Sequence, residues 1–365
     1  MKRIFIQLIA IIFVLSFVFS CQNAEEPSSD ETKVKNIIFL IGDGMGVTQL
    51  HAAIERADEK LAMEIAEYVG LSKTNSLTNK ITDSAAGGTA LATGTKTANG
   101  VIGQDTSGNV LKTVLEYAED YGLSTGLVST SSITHATPAS FIAHDSSRNN
   151  YEAIAADFLD TEIEVFIGGG WNHFASREDG QNLVESLEEK GYSVVRTIEE
   201  VEASQADRLA GLLAEGHLPP AAEGRGDMLP LATAKALDIL SRNEEGFFLM
   251  VEGSQIDWGG HANDIDYVVS ETIDFDNAVR VAVDFAKNNH GTLVVVTSDH
   301  ETGGLTLPSM EGDYTVTAPH FATGGHSAVM VPIFSYGEGA EHFSGILDNT
   351  DFFPRFMKLY GFADN

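Results

Sequence analysis

The sequence predicts an α/β fold, a three-layer α/β/α sandwich with a mostly parallel central sheet. Short apolar or β-branched runs recur at 37–41, 125–129, 165–167, 193–196, 247–251, 293–297 and 331–335. A strand buried on both faces has such a continuous run, whereas a half-buried strand alternates. Helix-length amphipathic stretches lie between the runs, at 49–68, 111–121, 151–159, 181–190, 229–243 and 267–288. Alternation of this kind implies parallel strands joined by covering helices. Three of the runs also pass straight into polar clusters at their carboxyl ends, the edge at which open α/β sheets bind ligands.

The chain opens with Lys2 and Arg3, an apolar run over 4–19, then Ser20 and Cys21. A charged start, an apolar stretch and small residues read as an export signal over 1–20. The residues before Cys21 resemble a bacterial lipoprotein signal, which predicts lipidation at Cys21 and an extracytoplasmic, lipid-anchored protein of the periplasm or cell envelope. An ordinary cleaved signal is the alternative. Residues 21–34 are polar and acidic, suited to a flexible tether, and 35–365 read as a single domain. No later apolar stretch approaches the roughly 18 residues that span a bilayer. With Cys21 the only cysteine, disulfides play no part in stability.

At 365 residues and 43% hydrophobic content the chain can bury a substantial core. Its 53 Asp and Glu against 22 Lys and Arg give a formal net charge of -31, which argues against a nucleic-acid-binding surface. A protein this acidic that takes an anionic substrate must reverse its field locally, and bound cations do that efficiently.

After the first strand come Gly42, Asp43, Gly44, Met45 and Gly46, in which glycines let the backbone turn tightly around one carboxylate. Asp43 is thereby a metal-ligand candidate, although a glycine-rich turn with a solvated aspartate has the same sequence. Next comes the run Thr82, Asp83, Ser84, Ala85, Ala86, Gly87, Gly88 and Thr89. A helix starting there would offer N–H groups and a positive dipole end to an anion. Ser84 is a candidate nucleophile that needs a base or a metal to activate it, and its sequence neighbours include no histidine. Asp83 or Ser84 as a simple helix cap is the plainer reading.

Glu252, Asp257, His261 and Asn263 follow the run at 247–251, Asp299, His300 and Glu301 follow that at 293–297, and His326 lies further on. Carboxylates and imidazoles at close quarters suit zinc, or zinc with magnesium. Crowding Asp43, Glu252, Asp257 and Asp299 into one cleft without cations would raise their pKa values and destabilise the fold. A coincidence at four separate strand ends is a poor explanation, and together the clusters read as a multimetal site. His135, Thr137, Pro138, His144 and Arg148 follow the second strand. Arg148 can grip two phosphate oxygens with its planar fork, though a lone arginine before a helix is ordinarily a surface ion pair.

The run from Asp83 to Thr89 resembles the signature of alkaline phosphatases, and the other clusters fall in that family's order. The resemblance extends from Asn36 to the C-terminus, about nine-tenths of the chain, and is nearest to short, cold-adapted bacterial members. It implies hydrolysis of small phosphate monoesters through a phosphoserine on Ser84, with a role in phosphate scavenging, while the short chain, with little room for large insertions, predicts an open cleft and a broad substrate range. It implies a site of two zinc ions and one magnesium. Asp257, His261 and His326 would hold the first zinc, and Asp43, Asp299 and His300, with Ser84, the second. Asp43, Thr137 and Glu252 would hold the magnesium, and Arg148 the substrate phosphate. It also implies a homodimer.

Two positions depart from the best-known bacterial pattern, which has aspartate at His135 and lysine at Trp258. Imidazole at His135 opens the third site to zinc as well. His135 and Trp258 both fall where substrate would be contacted, and Trp258 is either a pocket wall or core. Three rivals remain: a phosphodiesterase or sulfatase of the same fold, a non-catalytic phosphate- or metal-binding surface lipoprotein, and an acidic calcium-binding surface protein. The Pro and Arg that a sulfatase needs near its modified residue are absent after Ser84, and the histidines disfavour calcium.

Overall fold

The computed structural model describes residues 34–362. The expected signal, Cys21 and the tether up to residue 33 lie outside the described residues. Val34, at the end of the expected tether, is buried in the core.

The strands are β1 (Asn36–Gly42), β2 (Tyr68–Lys73), β3 (Ser124–Ser132), β4 (Val165–Gly169), β5 (Ser193–Val195), β6 (Leu209–Leu212), β7 (Phe247–Gly253) and β8 (Thr292–Thr297). Six short strands follow: β9 (Glu301–Thr302), β10 (Leu305–Thr306), β11 (Ser309–Met310), β12 (Asp313–Thr317), β13 (His320–Phe321) and β14 (His326–Ser327). The last two are β15 (Val331–Gly337) and β16 (Gly345–Asp348). Ten of these form one sheet in the order β16-β2-β15-β8-β1-β7-β3-β4-β6-β5. Every neighbouring pair is parallel except those made by β15, which runs antiparallel to β2 and β8.

Alternate residues of β1 serve opposite faces. Ile37, Phe39 and Ile41 join one apolar cluster, with Leu127, Phe248 and the helix Phe352–Tyr360; Ile38 and Leu40 join another, with the helices Met228–Leu240 and Ile265–Asn288. Burial of both faces explains why the strands carry no alternation in the sequence.

The helix expected over 49–68 breaks early. It spans Val47–Arg56, a 3-10 turn covers Ala62–Ile65, and Tyr68 already opens β2. The buried Asp276 carboxylate accepts the N–H groups of Ala62 (2.6 Å) and Met63 (2.9 Å), capturing the chain where a continuous helix would have carried it past. Strands β2, β6 and β16 carry no clear sequence signal, being short, glycine-containing or half exposed, and they form because the larger strands offer them a partner.

The register decides where the chemistry lies. β8, β1, β7 and β3 are consecutive in the sheet, with Ile41 level with both Glu252 and Thr297, and Ser129 level with Glu252. Asp43, Glu252 and Asp299 therefore emerge at one edge from strands about 4.8 Å apart.

The strap after β6 is anchored by a buried ion triad. Arg225 pairs with Glu271 and, at 2.7 Å, with Asp274 on the long helix Ile265–Asn288. Glu271 also accepts the Ala221 N–H at 2.8 Å. Removing the cation leaves two buried carboxylates facing each other, so Arg225→Ala should cost about 3–5 kcal/mol in urea unfolding. A loss below about 1 kcal/mol, the range of an exposed pair, would show that the triad does not anchor the strap.

Candidate functional site

The turn after β1 admits only a residue without Cβ at Gly44. Its φ is +77°, and a Cβ there would lie 2.6 Å from the Asp257 Cα. That close approach sets Asp43 beside the helix Gln255–Ala262, whose Asp257 and His261 stand one turn apart.

Asp83 resolves the question of the cap. Its Oδ1 accepts the Ala86 N–H at 3.1 Å, while Oδ2 takes the Gly100 N–H at 3.0 Å and Arg148 Nη1 at 2.9 Å. Ser84, the first residue of the helix Ser84–Thr93, is thereby released from capping. Its buried Oγ lies 3.3 Å from His300 Nε2, so the histidine missing from its sequence neighbourhood arrives from β8. Gly87 in the same helix lets it close on the site, since a Cβ there would lie 3.2 Å from that of Asp299.

Three groups of donor atoms form, each within 4.8 Å: Asp257, His261 and His326; Asp43, Asp299 and His300; and Asp43, His135 and Glu252. In the first, His261 Nδ1 donates to Gly324 O and His326 Nδ1 to Thr82 O, both at 2.8 Å. Carbonyls only accept, so both Nδ1 atoms carry hydrogen and both rings turn their Nε2 atoms inward, 3.2 Å apart. In the second, His300 Nε2 is 3.2 Å from Asp299 Oδ2 and 3.5 Å from Asp43 Oδ1, and both carboxylate atoms lack a hydrogen-bond donor. In the third, Ser129 and Ser254 each donate to Glu252 Oε2 at 2.6 Å, leaving Oε1 bare, while His135 Nε2 accepts from Arg148 Nη2 at 3.3 Å and its Nδ1 has no partner. Thr137 Oγ1 is 3.4 Å from Asp43 Oδ2. Buried polar atoms without partners are rare, and here they converge, which is the donor arrangement divalent cations require.

Burial, and then the charges of Asp299, Asp257 and Glu252, push Asp43 well above the usual carboxylate range. Burial likewise raises Glu252, and raises Asp299 to about 6 with the help of Asp257. Asp257 departs from the expected rise. Burial pushes it up too, but the His261 hydrogen bond and the charges of His300 and His326 outweigh burial and hold it below the usual range. The same bond lifts His261 to about 9. Burial lowers His300 well below its ordinary value and, with Arg148 beside it, lowers His135 to about 3.

A model of the alkaline phosphatase family matches residues 34–321. The chain belongs to the alkaline phosphatase family. Alkaline phosphatase 4 of Bacillus subtilis is 41% identical over 303 residues, covering 78% of this chain but 65% of the relative. The chain thus spans about two-thirds of that alkaline phosphatase's length. The Escherichia coli alkaline phosphatase is 32% identical, with 89% of this chain and 86% of the relative covered. The solved alkaline phosphatase of the Antarctic bacterium TAB5 superposes with a TM-score of 0.87 at 41% identity, over 91% of this chain and 99% of the other.

Two residues that the sequence grouped with the site do other work in the structure. Asn263 ends its helix at φ +53°, and its amide nitrogen donates to Gly260 O and Thr323 O. His144 bonds Gly103 O at 2.8 Å and Glu116 at 3.1 Å. Trp258 is half buried and stands edge-on to His217 and His135, with ring centroids 4.8 and 6.3 Å away, on the wall of the site. Sequence reasoning missed His217, whose Nδ1 accepts the Ser132 N–H at 3.0 Å, and the hydroxyls around Glu252. The polar run Ser129 to Ser132, out of place at the end of a buried strand, was the available signal.

A metal-free protein should be less stable at pH 9 than at pH 7. His261 has a folded value, about 9, above its unfolded one, so the stability it contributes at low pH is lost as pH rises through that folded value. His135 and His300 stay neutral across this window. Chelated protein should therefore melt at progressively lower temperature from pH 7 to 9, with a much flatter profile once zinc and magnesium are restored. A chelated profile that rises or stays flat would contradict these assignments.

Proposed function

We propose that the chain is a phosphoric monoester hydrolase that releases an alcohol and inorganic phosphate through a phosphoserine on Ser84. The observation that carries this is the position of the Ser84 Oγ: relieved of capping by Asp83, at a helix N-terminus, and 3.3 Å from His300 Nε2. Ser254, also at a helix start beside a donor cluster, spends its hydroxyl on Glu252 Oε2 at 2.6 Å.

Asp257, His261 and His326 would hold one cation, Asp43, Asp299 and His300 with Ser84 a second, and Asp43, Thr137, Glu252 and His135 a third. The proposed complement is two zinc and one magnesium, with the imidazole of His135 making the third site suited to zinc also. Variants of the TAB5 alkaline phosphatase in which a histidine is replaced by Asp or Glu have Mg bound in the M3 site. When bound, the cations supply positive charge that neutralises the buried carboxylates, lowers the pKa of the serine hydroxyl and of water, and stabilises negative charge as it develops.

Within that field the chain's own groups act in order. Arg148, held through Nη1 by Asp83 and through Nη2 by His135, turns its remaining N–H groups toward the phosphate oxygens. The N–H groups at the start of the helix Ser84–Thr93 face the same anion. Ser84 Oγ, giving up its proton, forms a bond to phosphorus as the ester O–P bond breaks, and the alcohol leaves after taking up a proton. Water then adds to phosphorus from the opposite side, breaks the Ser84 O–P bond and restores the hydroxyl. Trp258, His217 and His135 wall one side of the pocket against solvent.

Ser84→Ala should lower turnover of p-nitrophenyl phosphate about a thousandfold or more, and acid quenching of the parent should trap phosphate on Ser84. Full turnover without that hydroxyl would end the covalent scheme. Export, lipid anchoring at Cys21 and a homodimer belong to the same proposal. Cys21→Ser should move the protein from the membrane fraction to the soluble fraction, and an unchanged membrane fraction would remove the anchor.

A further inference from the structure

Asp257 and His300 belong to different donor clusters, yet one hydroxyl touches both. Thr302 Oγ1 is 2.5 Å from Asp257 Oδ1 and 3.2 Å from His300 Nδ1. A threonine hydroxyl carries a single proton, and a carboxylate can only accept. The proton therefore goes to Asp257, and the hydroxyl meets His300 through a lone pair. His300 Nδ1 must then be the nitrogen that carries hydrogen, which leaves Nε2 bare. That bare atom is the one aimed at Ser84 Oγ (3.3 Å), Asp299 Oδ2 (3.2 Å) and Asp43 Oδ1 (3.5 Å). A histidine ligates a metal through its unprotonated nitrogen, and the hydrogen bond made by the other nitrogen decides which one that is.

The backbone gives this hydroxyl little freedom. Thr302 is fully buried on β9, its N–H donates to Gly44 O at 3.1 Å, and its carbonyl accepts Gln49 Nε2 at 2.7 Å. Its side chain packs against Gly260, where an added Cβ would come within 2.9 Å of the Thr302 Cβ. Glu301, its neighbour on β9, accepts the Ser327 hydroxyl and Gln49 Nε2, which secures the β9–β14 pair that also carries His326.

We propose that Thr302 is a positioning residue that fixes the His300 tautomer and orients Asp257, coupling the two clusters while ligating neither cation. This rests on the reading of those clusters as cation sites given under the proposed function.

The test is a zinc titration of chelator-stripped, full-length protein against a chromophoric competitor, for the parent, Thr302→Val and Thr302→Ser, with melting temperatures measured alongside. Valine keeps the shape and removes the hydroxyl, so Thr302→Val should bind zinc about 10–100-fold more weakly at both clusters. Thr302→Ser, which keeps the hydroxyl, should bind close to the parent. Cobalt in place of zinc should give an altered visible spectrum in Thr302→Val and a parental one in Thr302→Ser. If valine prevents folding, Thr302→Ala makes the same comparison. Parental affinity in Thr302→Val, an equal loss in Thr302→Ser, or weakening at one cluster alone would overturn the proposal. A parent that takes up no zinc would instead overturn the cation reading, and the role of Thr302 with it.

Discussion

The rest of the molecule is arranged around one electrostatic problem: Asp43, Glu252, Asp257 and Asp299 are all buried at a single edge of the sheet. Three of them come from the ends of adjacent strands in fixed register, so the backbone gives them no means of moving apart. Ionised carboxylates so placed repel one another in a medium that screens poorly. Elsewhere the chain meets buried charge by pairing it internally, as Arg225 does for Glu271 and Asp274. At the sheet edge it does not. Arg148 is already engaged by Asp83, and backbone carbonyls hold the outer nitrogens of His261 and His326. Cations from outside are what the arrangement lacks.

The supporting residues make sense as holders of that deficit. Ser129, Ser131 and Ser254 all contact one oxygen of Glu252 and leave the other free. Backbone carbonyls of Gly324 and Thr82 fix the His261 and His326 rings by their outer nitrogens. Asp83 caps a helix, steadies Gly100 and aims Arg148, three tasks that together free the Ser84 hydroxyl for chemistry. With a formal net charge of -31 the exterior repels anions, so under the proposed function attraction to phosphate has to be local, from a helix start, one guanidinium and the proposed cations.

The large strands and the convergence of their carboxyl ends were legible in the sequence because burial on both faces writes a continuous apolar run that ends abruptly where chemistry begins. The candidate ligands were legible for the same reason, since Asp43, Asp299 and His300 each follow such a run. What was not legible depends on tertiary contact. The helix at Val47–Arg56 has no internal stop signal as strong as the Asp276 carboxylate that recaptures the chain downstream. His217 lies on a strap between elements, with only its fold neighbours Ser132, His135 and Trp258 to mark it. The depression of Asp257 against the trend of its neighbours follows from three imidazoles that the sequence spreads from His261 to His326.

Anomalous diffraction at the zinc edge, from crystals of protein purified without chelators, tests the central claim most directly. The account predicts strong peaks between Asp257, His261 and His326 and between Asp43, Asp299 and His300, with a further cation beside Glu252 and His135. Crystals that hold no metal at these groups, with the bare carboxylate oxygens and ring nitrogens satisfied by protein donors instead, would contradict it.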